Sequence, residues 1–146
     1  MTNPFVYYRI TPNMEPKRDP RIPVRELDWH GDLALIRRFY ARFTDTPFDP
    51  DVLPPNTGKP LAILAEEEIA SFAIPFSFRE GETEIGGTAT VPEYRNKGYC
   101  RALIAEMASR ILAQGLTAVL TTHRDNLPMR AAAEGIGMEA FTRGAE

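Results

Sequence analysis

Hydrophobic positions along the chain change their period from one stretch to the next. Phe5 to Ile10 (FVYYRI) is dense in aromatic and β-branched residues and predicts a strand. Pro12, Pro16, Pro20 and Pro23 then punctuate a stretch carrying Lys17, Arg18 and Arg21, which predicts an extended arm. Beyond Asp32, read as an N-cap, Ile36, Phe39, Tyr40 and Phe43 recur at helical spacing, with Arg37, Arg38 and Arg42 on the solvent side. Thr44 to Pro60 follows as a long proline-rich loop. Loops of this length within compact domains are usually functional or mobile, so this one is expected to wall part of a binding site.

Period two then takes over. Leu61 to Ala65 predicts a strand, and Ile69 to Phe78 another whose Phe72, Ile74, Phe76 and Phe78 alternate onto one face, with Glu66, Glu67 and Glu68 at the turn between. A turn through Gly81 leads into Thr83 to Val91, and three consecutive strands with short connections predict an antiparallel meander. Gly86 and Gly87 sit inside the third strand, where paired glycines weaken the ladder and mark a bulge or a close backbone approach. After Pro92 the spacing becomes helical: Gly98 to Gln114 carries Leu103, Ile104, Met107 and Ile111 on one face and stops at Gly115. Leu116 to Thr121 reads as a strand. Asn126 and Pro128 begin a short helix expected to end near Gly135, and Met138 to Glu146 leaves room for one last strand.

Composition narrows the function classes. A chain of 146 residues with 43% hydrophobic and 25% charged side chains is expected to form one domain. Its 17 basic and 20 acidic residues give a net charge of -3, which argues against a nucleic-acid or anionic-membrane partner. The apolar start is too short for a signal-peptide core and no stretch approaches a membrane span, so a soluble, cytoplasmic protein is expected. One cysteine, Cys100, and two histidines, His30 and His123, leave no disulfide and no metal cluster to expect.

The chemistry concentrates in Val91 to Arg101 (VPEYRNKGYCR), where a glycine and several basic residues join a strand end to a helix start. The first backbone N–H groups of a helix lack internal partners and lie at the positive end of its dipole, so a pyrophosphate can accept several of them together. Gly98 lets the backbone come close, and Lys97 and Arg101 can add charge-assisted contacts. It is no Walker loop, because G-x-x-x-x-G-K-[ST] is absent. An ordinary turn with solvated basic residues would show the same local pattern.

With its surroundings, this turn resembles the pyrophosphate loop of the GNAT acyltransferase superfamily over roughly Pro60 to Phe141. That family carries R/Q-x-x-G-x-G/A after a central strand, and the run here is Arg95-Asn96-Lys97-Gly98-Tyr99-Cys100, with cysteine as the final small residue. The lead-in Pro92-Glu93-Tyr94-Arg95 and the helix start Asn126-Leu127-Pro128 look like one branch of the family. The resemblance implies an α/β (α+β) fold: a mixed, splayed sheet of about six to seven strands with helices on both faces. The single domain, residues 1–146, would comprise an N-terminal strand and arm (1–23), an acceptor-side helix and loop (24–60) and an acyl-CoA-binding core (61–146).

It also implies an N-acyltransferase using acetyl-CoA or another acyl-CoA as co-substrate, without a metal, acting on a small-molecule or peptide amine. Thr88, Ala89 and Thr90 would face the pantetheine arm, and Arg95, Asn96, Lys97, Gly98, Tyr99, Cys100 and Arg101 the pyrophosphate. Asn126 would border the cofactor arm, cap its helix, or both. Glu84, where relatives that acetylate histones carry their glutamate, would be the catalytic base, with Glu82 as fallback; a solvated strand carboxylate is the plain alternative.

The chain also departs from that pattern. Many relatives have an acidic tyrosine seven residues after the helix-starting asparagine, where Ala133 stands here, leaving Tyr94, Tyr99, His123 or water to protonate the departing thiolate. Cys100 reads as packing rather than as a nucleophile. Relatives often end in a hairpin, and here either the FVYYRI strand or a partner subunit, as in a homodimer, would complete the sheet. The alternative function is a non-catalytic acyl-CoA-binding or regulatory module.

Overall fold

The computed structural model describes residues 3–143. Seven strands form one open mixed sheet: β1 (Phe5–Ile10), β2 (Arg25–Glu26), β3 (Leu61–Ala65), β4 (Glu68–Phe76), β5 (Glu82–Thr90), β6 (Thr117–His123) and β7 (Glu139–Phe141). They lie in the order β2-β3-β4-β5-β6-β1-β7. Three helices cover it: α1 (Leu33–Tyr40), α2 (Tyr99–Ala113) and α3 (Leu127–Ile136). Residues 144–146, part of the last predicted strand, lie outside the described residues. Among the described residues no helix is long and apolar enough to cross a membrane.

Strand alternation divides the core in two. Leu61, Ile63, Ala73, Ile85 and Leu120 face α2 and α3 and pack on Leu103, Ile104, Met107 and Ile136. Ala62, Phe72 and Ile74 face the other way, onto Ile36 and Phe39 of α1. Helices therefore lie on both faces, as expected.

The β3-β4-β5 meander is antiparallel throughout. Between β4 and β5 the register slips by one residue, because Phe72 faces Ala89 while Ile74 faces Gly86. The extra residue on β5 comes with Gly87 at φ +57, a left-handed backbone that costs little only at glycine. A methyl there would also stand 2.7 Å from Cδ1 of the buried Ile74. The paired glycines thus mark a bulge that a side chain cannot occupy.

β5 and β6 run parallel and pair only at Glu82, Thr83 and Glu84, against Thr117, Ala118 and Val119. Beyond that point they part. β6 is paired on its other edge by β1, antiparallel along its length, from Phe5 with His123 to Ile10 with Ala118. β1 is an interior strand, with β7 on its other edge, so the FVYYRI segment completes the sheet within the chain. Tyr8, fully buried, ties it to α3: its hydroxyl donates to Glu134 Oε2 at 2.6 Å and accepts from Arg130 Nε at 3.1 Å.

Local expectations shift in four places. Asp32 does not cap α1; its carboxylate accepts the Asp28 N–H at 2.8 Å, closing the preceding turn. Phe78 lies outside β4, exposed and stacked on Phe76. α3 runs through Gly135 and ends at Gly137, whose φ of 107 stops it. β2, a two-residue strand, has no signal in the local pattern.

Replacing Gly87 with alanine forces both a left-handed β-carbon and a clash in a packed core. The variant should lose about 1–3 kcal/mol of stability, read as a lower denaturation midpoint in urea with an unchanged slope.

Candidate active site

Two concavities flank the place where β5 and β6 part. The larger, about 1360 Å³, contains all eleven residues assigned to the cofactor from sequence: Thr88 to Thr90 on β5, Arg95 to Arg101 in the loop and first turn of α2, and Asn126 at the start of α3. The smaller, about 180 Å³, is lined by Glu84 together with Tyr7, Phe78, Arg79, Glu82, Thr121 and Arg143.

The loop between β5 and α2 is shaped by its backbone. Pro92–Tyr94 makes one tight turn, and Asn96 (φ 63) and Gly98 (φ 80) both adopt left-handed conformations that carry the chain round to the start of α2. Arg95 braces the loop, donating Nε–H to the Thr90 carbonyl at 3.0 Å. Gly98 is the N-cap of α2, and no side chain caps that helix, so its first N–H groups stay available to an anion. α3 differs: Asn126 Oδ1 accepts the Met129 N–H at 3.2 Å, so Asn126 caps its helix while also lining the cleft.

The lining charge is strongly one-sided. Among the described residues, Lys17, Arg18, Arg21, Arg95, Lys97 and Arg101 line the cleft with Asp19 as the single carboxylate, in a chain whose net charge is -3. Such a wall, beside an uncapped helix start, suits a polyanion the size of a nucleotide-bearing cofactor. Arg101 lies flat on α3, where a methyl on Gly135 would meet its guanidinium at 2.6 Å. Cys100 carries no nucleophile's signature, because burial pushes its thiol up to about 11 and it packs against the core.

Sequence reasoning missed part of this wall. Lys17 to Arg21 of the arm and Pro128, Met129, Ala131, Ala132 and Gly135 of α3 also line the cleft. Three basic residues among prolines were the available signal for the arm.

Glu84 points to the face opposite Ile85, away from α2, at the last paired position before β5 and β6 part. Burial raises its pKa above the ordinary carboxylate value, and a hydrogen bond from the Thr121 hydroxyl at 3.2 Å partly opposes that rise. Glu82, the fallback, is engaged differently: Arg143 donates to both of its oxygens, and both side chains are mostly buried. Ala133 is fully buried in the core beneath α3. Tyr94 and Tyr99 stack on each other and line the cleft. His123 does not line it, and its Nδ1 accepts the Asp125 N–H at 3.1 Å. Among the described residues no cluster of three or more His, Cys, Asp or Glu side chains could hold a metal ion.

The raised pKa has a consequence for stability. The folded state holds the Glu84 proton more tightly than the unfolded chain, so this group's contribution is complete below the ordinary carboxylate pKa and is lost as pH rises through the elevated value. Glu84→Gln removes that loss while leaving an acceptor for Thr121. Relative to the parent, the variant should gain stability between pH 4 and pH 8, measured by urea unfolding at both; an equal difference at the two pH values would contradict the burial of this charge.

Comparisons with known proteins agree with this fold. A search of curated proteins by sequence finds no match. A GNAT-family protein of Novosphingobium aromaticivorans shares the fold with TM-score 0.75 and 19% identity, over 94% of this chain and 60% of that one. The ribosomal-protein-S18-alanine N-acetyltransferase of Escherichia coli superposes with TM-score 0.64 and 20% identity, over 82% of this chain and 79% of its own. AAC(6')-Iy, solved in complex with the bisubstrate analogue CoA-S-monomethyl-acetylneamine, gives TM-score 0.66 and 16% identity over 84% and 93%. The sequence model of the acetyltransferase (GNAT) family matches residues 24–138, from before β2 to the end of α3, and the chain therefore belongs to the GNAT acetyltransferase family.

Proposed function

We propose that this domain catalyses acyl-CoA-dependent N-acyl transfer in the cytoplasm, with acetyl-CoA as donor and a small-molecule or peptide amine as acceptor, by direct attack in a ternary complex. The observation that carries the reading is the charge of the cleft: six cations and one carboxylate beside an uncapped helix, in an acidic chain. CoA brings a pyrophosphate and a 3′-phosphate, together roughly four negative charges at neutral pH. The residues present fit such a group by size and by sign. The chain spans 60% of the Novosphingobium protein's length, so any activity of a longer assembly belongs to this proposal too. AAC(6')-Iy, solved with the bisubstrate analogue CoA-S-monomethyl-acetylneamine, supports CoA as carrier and an amine as acceptor.

Acyl-CoA, when bound, supplies an activated thioester with CoA thiolate as leaving group. Beyond Glu84 no residue of β6 pairs with β5, and the edge left open along Thr88, Ala89 and Thr90 can meet the pantetheine arm as a neighbouring strand would. The N–H groups from Asn96 to Arg101 and the side chains of Lys97 and Arg101 hold the pyrophosphate, while the Arg95 N–H stays with the Pro92 carbonyl. An ammonium has no lone pair for attack, so Glu84, directly or through one water, takes its proton. Desolvation suits it to that task by bringing its pKa closer to neutrality, which favours transfer over a module that merely binds acyl-CoA. A β5 backbone N–H meets the oxyanion as it forms. With alanine at position 133, the thiolate receives its proton from Tyr94, Tyr99 or water.

Titration calorimetry with acetyl-CoA and with CoA tests the donor site, and a thiol-release assay over a panel of amines tests transfer. Gly98→Glu should lower CoA affinity more than about tenfold, because it puts a strained backbone and a carboxylate where the pyrophosphate belongs. Glu84→Gln should lower kcat by about a hundredfold while changing the acetyl-CoA KM little. The parent's rate should rise with pH through an ionisation above the ordinary carboxylate range, and the variant should lose that limb; identical pH profiles would remove Glu84 as the base.

A further inference from the structure

The proline-rich arm lies outside the stretch that matches the family, which begins at residue 24, yet Lys17 to Arg21 form one wall of the cleft. The arm is held at both ends. Its first residue donates a backbone hydrogen bond from Lys17 N–H to the Ile136 carbonyl at the end of α3, at 2.9 Å. Just past it, Ile22 packs on the core, and its Cδ1 lies 3.9 Å from where a β-carbon on Gly98 would stand, beside the start of α2. The arm is thus a strap from the end of one helix to the phosphate loop of the other.

We propose that this strap holds the 3′-phosphate of CoA through Lys17 and Arg21, an inference that rests on the function proposed above. The loop and helix start account for a pyrophosphate, and the cations on the strap are more than that group requires. Among the described residues, Lys17 has no carboxylate at ion-pairing distance and is exposed to the cleft, so its ammonium can meet a phosphate without breaking an existing pair. Arg21 is bound to Asp19 through Nε and Nη2, both at 2.9 Å, but that pair is largely exposed and of little worth in water. A phosphate near two negative charges competes well for such a guanidinium. Arg18 is engaged elsewhere, with Glu106 of α2 at 3.2 Å, and fastens the strap instead.

The test compares CoA with 3′-dephospho-CoA by titration calorimetry, on the parent, on Lys17→Met and on Lys17→Met/Arg21→Met. These changes spare the backbone bond to Ile136, and a thermal melt reports whether each variant is folded. The parent should bind CoA about tenfold more tightly than dephospho-CoA, and the ratio should fall toward one in the double variant, with dephospho-CoA affinity nearly unchanged. Equal affinity of the parent for both compounds, or a parent-like ratio in the folded double variant, overturns the strap's role while leaving the acyl-CoA reading intact. Binding of neither compound by the folded parent overturns both.

Discussion

The parting of β5 from β6 is the constraint on which the rest of this domain depends. A pair of parallel strands that separates after three residues exposes backbone donors and acceptors in the middle of a sheet, where unpaired groups are costly. A bulge accompanies the separation: Gly87 takes a left-handed turn over Ile74 in β5, while β6 keeps its pairing with β1 on the other edge. The start of α2 then sits at the mouth of the opening and Glu84 at its root. The cleft lined by α2 and α3 and the small pocket lined by Glu84 lie on either side of the place where the two strands part.

Charge is arranged around that gap in two ways. On the cleft side, cations outnumber carboxylates among the described residues, although Arg21 is bound to Asp19 and Arg18 to Glu106, and no side chain caps the start of the helix beside them. On the pocket side, Glu82 is neutralised by Arg143 while Glu84 is left with a hydroxyl and a drier surrounding. Two carboxylates two residues apart, on the same face of one strand, are thereby given different chemistry by their neighbours alone.

Wherever structure is set by local pattern, the sequence was readable. The helical faces of α1 and α2, the glycine pair at the bulge, Gly98 at the helix start and the Asn126 cap all rest on residues within a few positions of one another. So did the set of cleft residues on β5, the loop and α3's first position. What escaped is set by partners far along the chain. Nothing within FVYYRI tells that its neighbours are Thr117–His123 and Glu139–Phe141, and nothing in Lys17 to Arg21 tells that the segment closes a cleft formed by α2 and α3. Asp32 was misread for a subtler reason: its carboxylate had two backbone N–H groups to choose from, and the turn at Asp28 competed better than the helix.

The interior position of β1 also governs how the chain can reach this structure. Arg9 pairs with Glu139, and Phe5 with His123, so a strand from the beginning must wait for nearly all of the remaining sequence before its neighbours exist. Until then β6 has an open edge and Tyr8 has no partner on α3. Contacts between such remote segments are slow to close, because the loop entropy is lost before the pairing compensates for it. The meander and α2, by contrast, draw their contacts from neighbouring segments, so the long-range order of the sheet is concentrated in the pairings of β1.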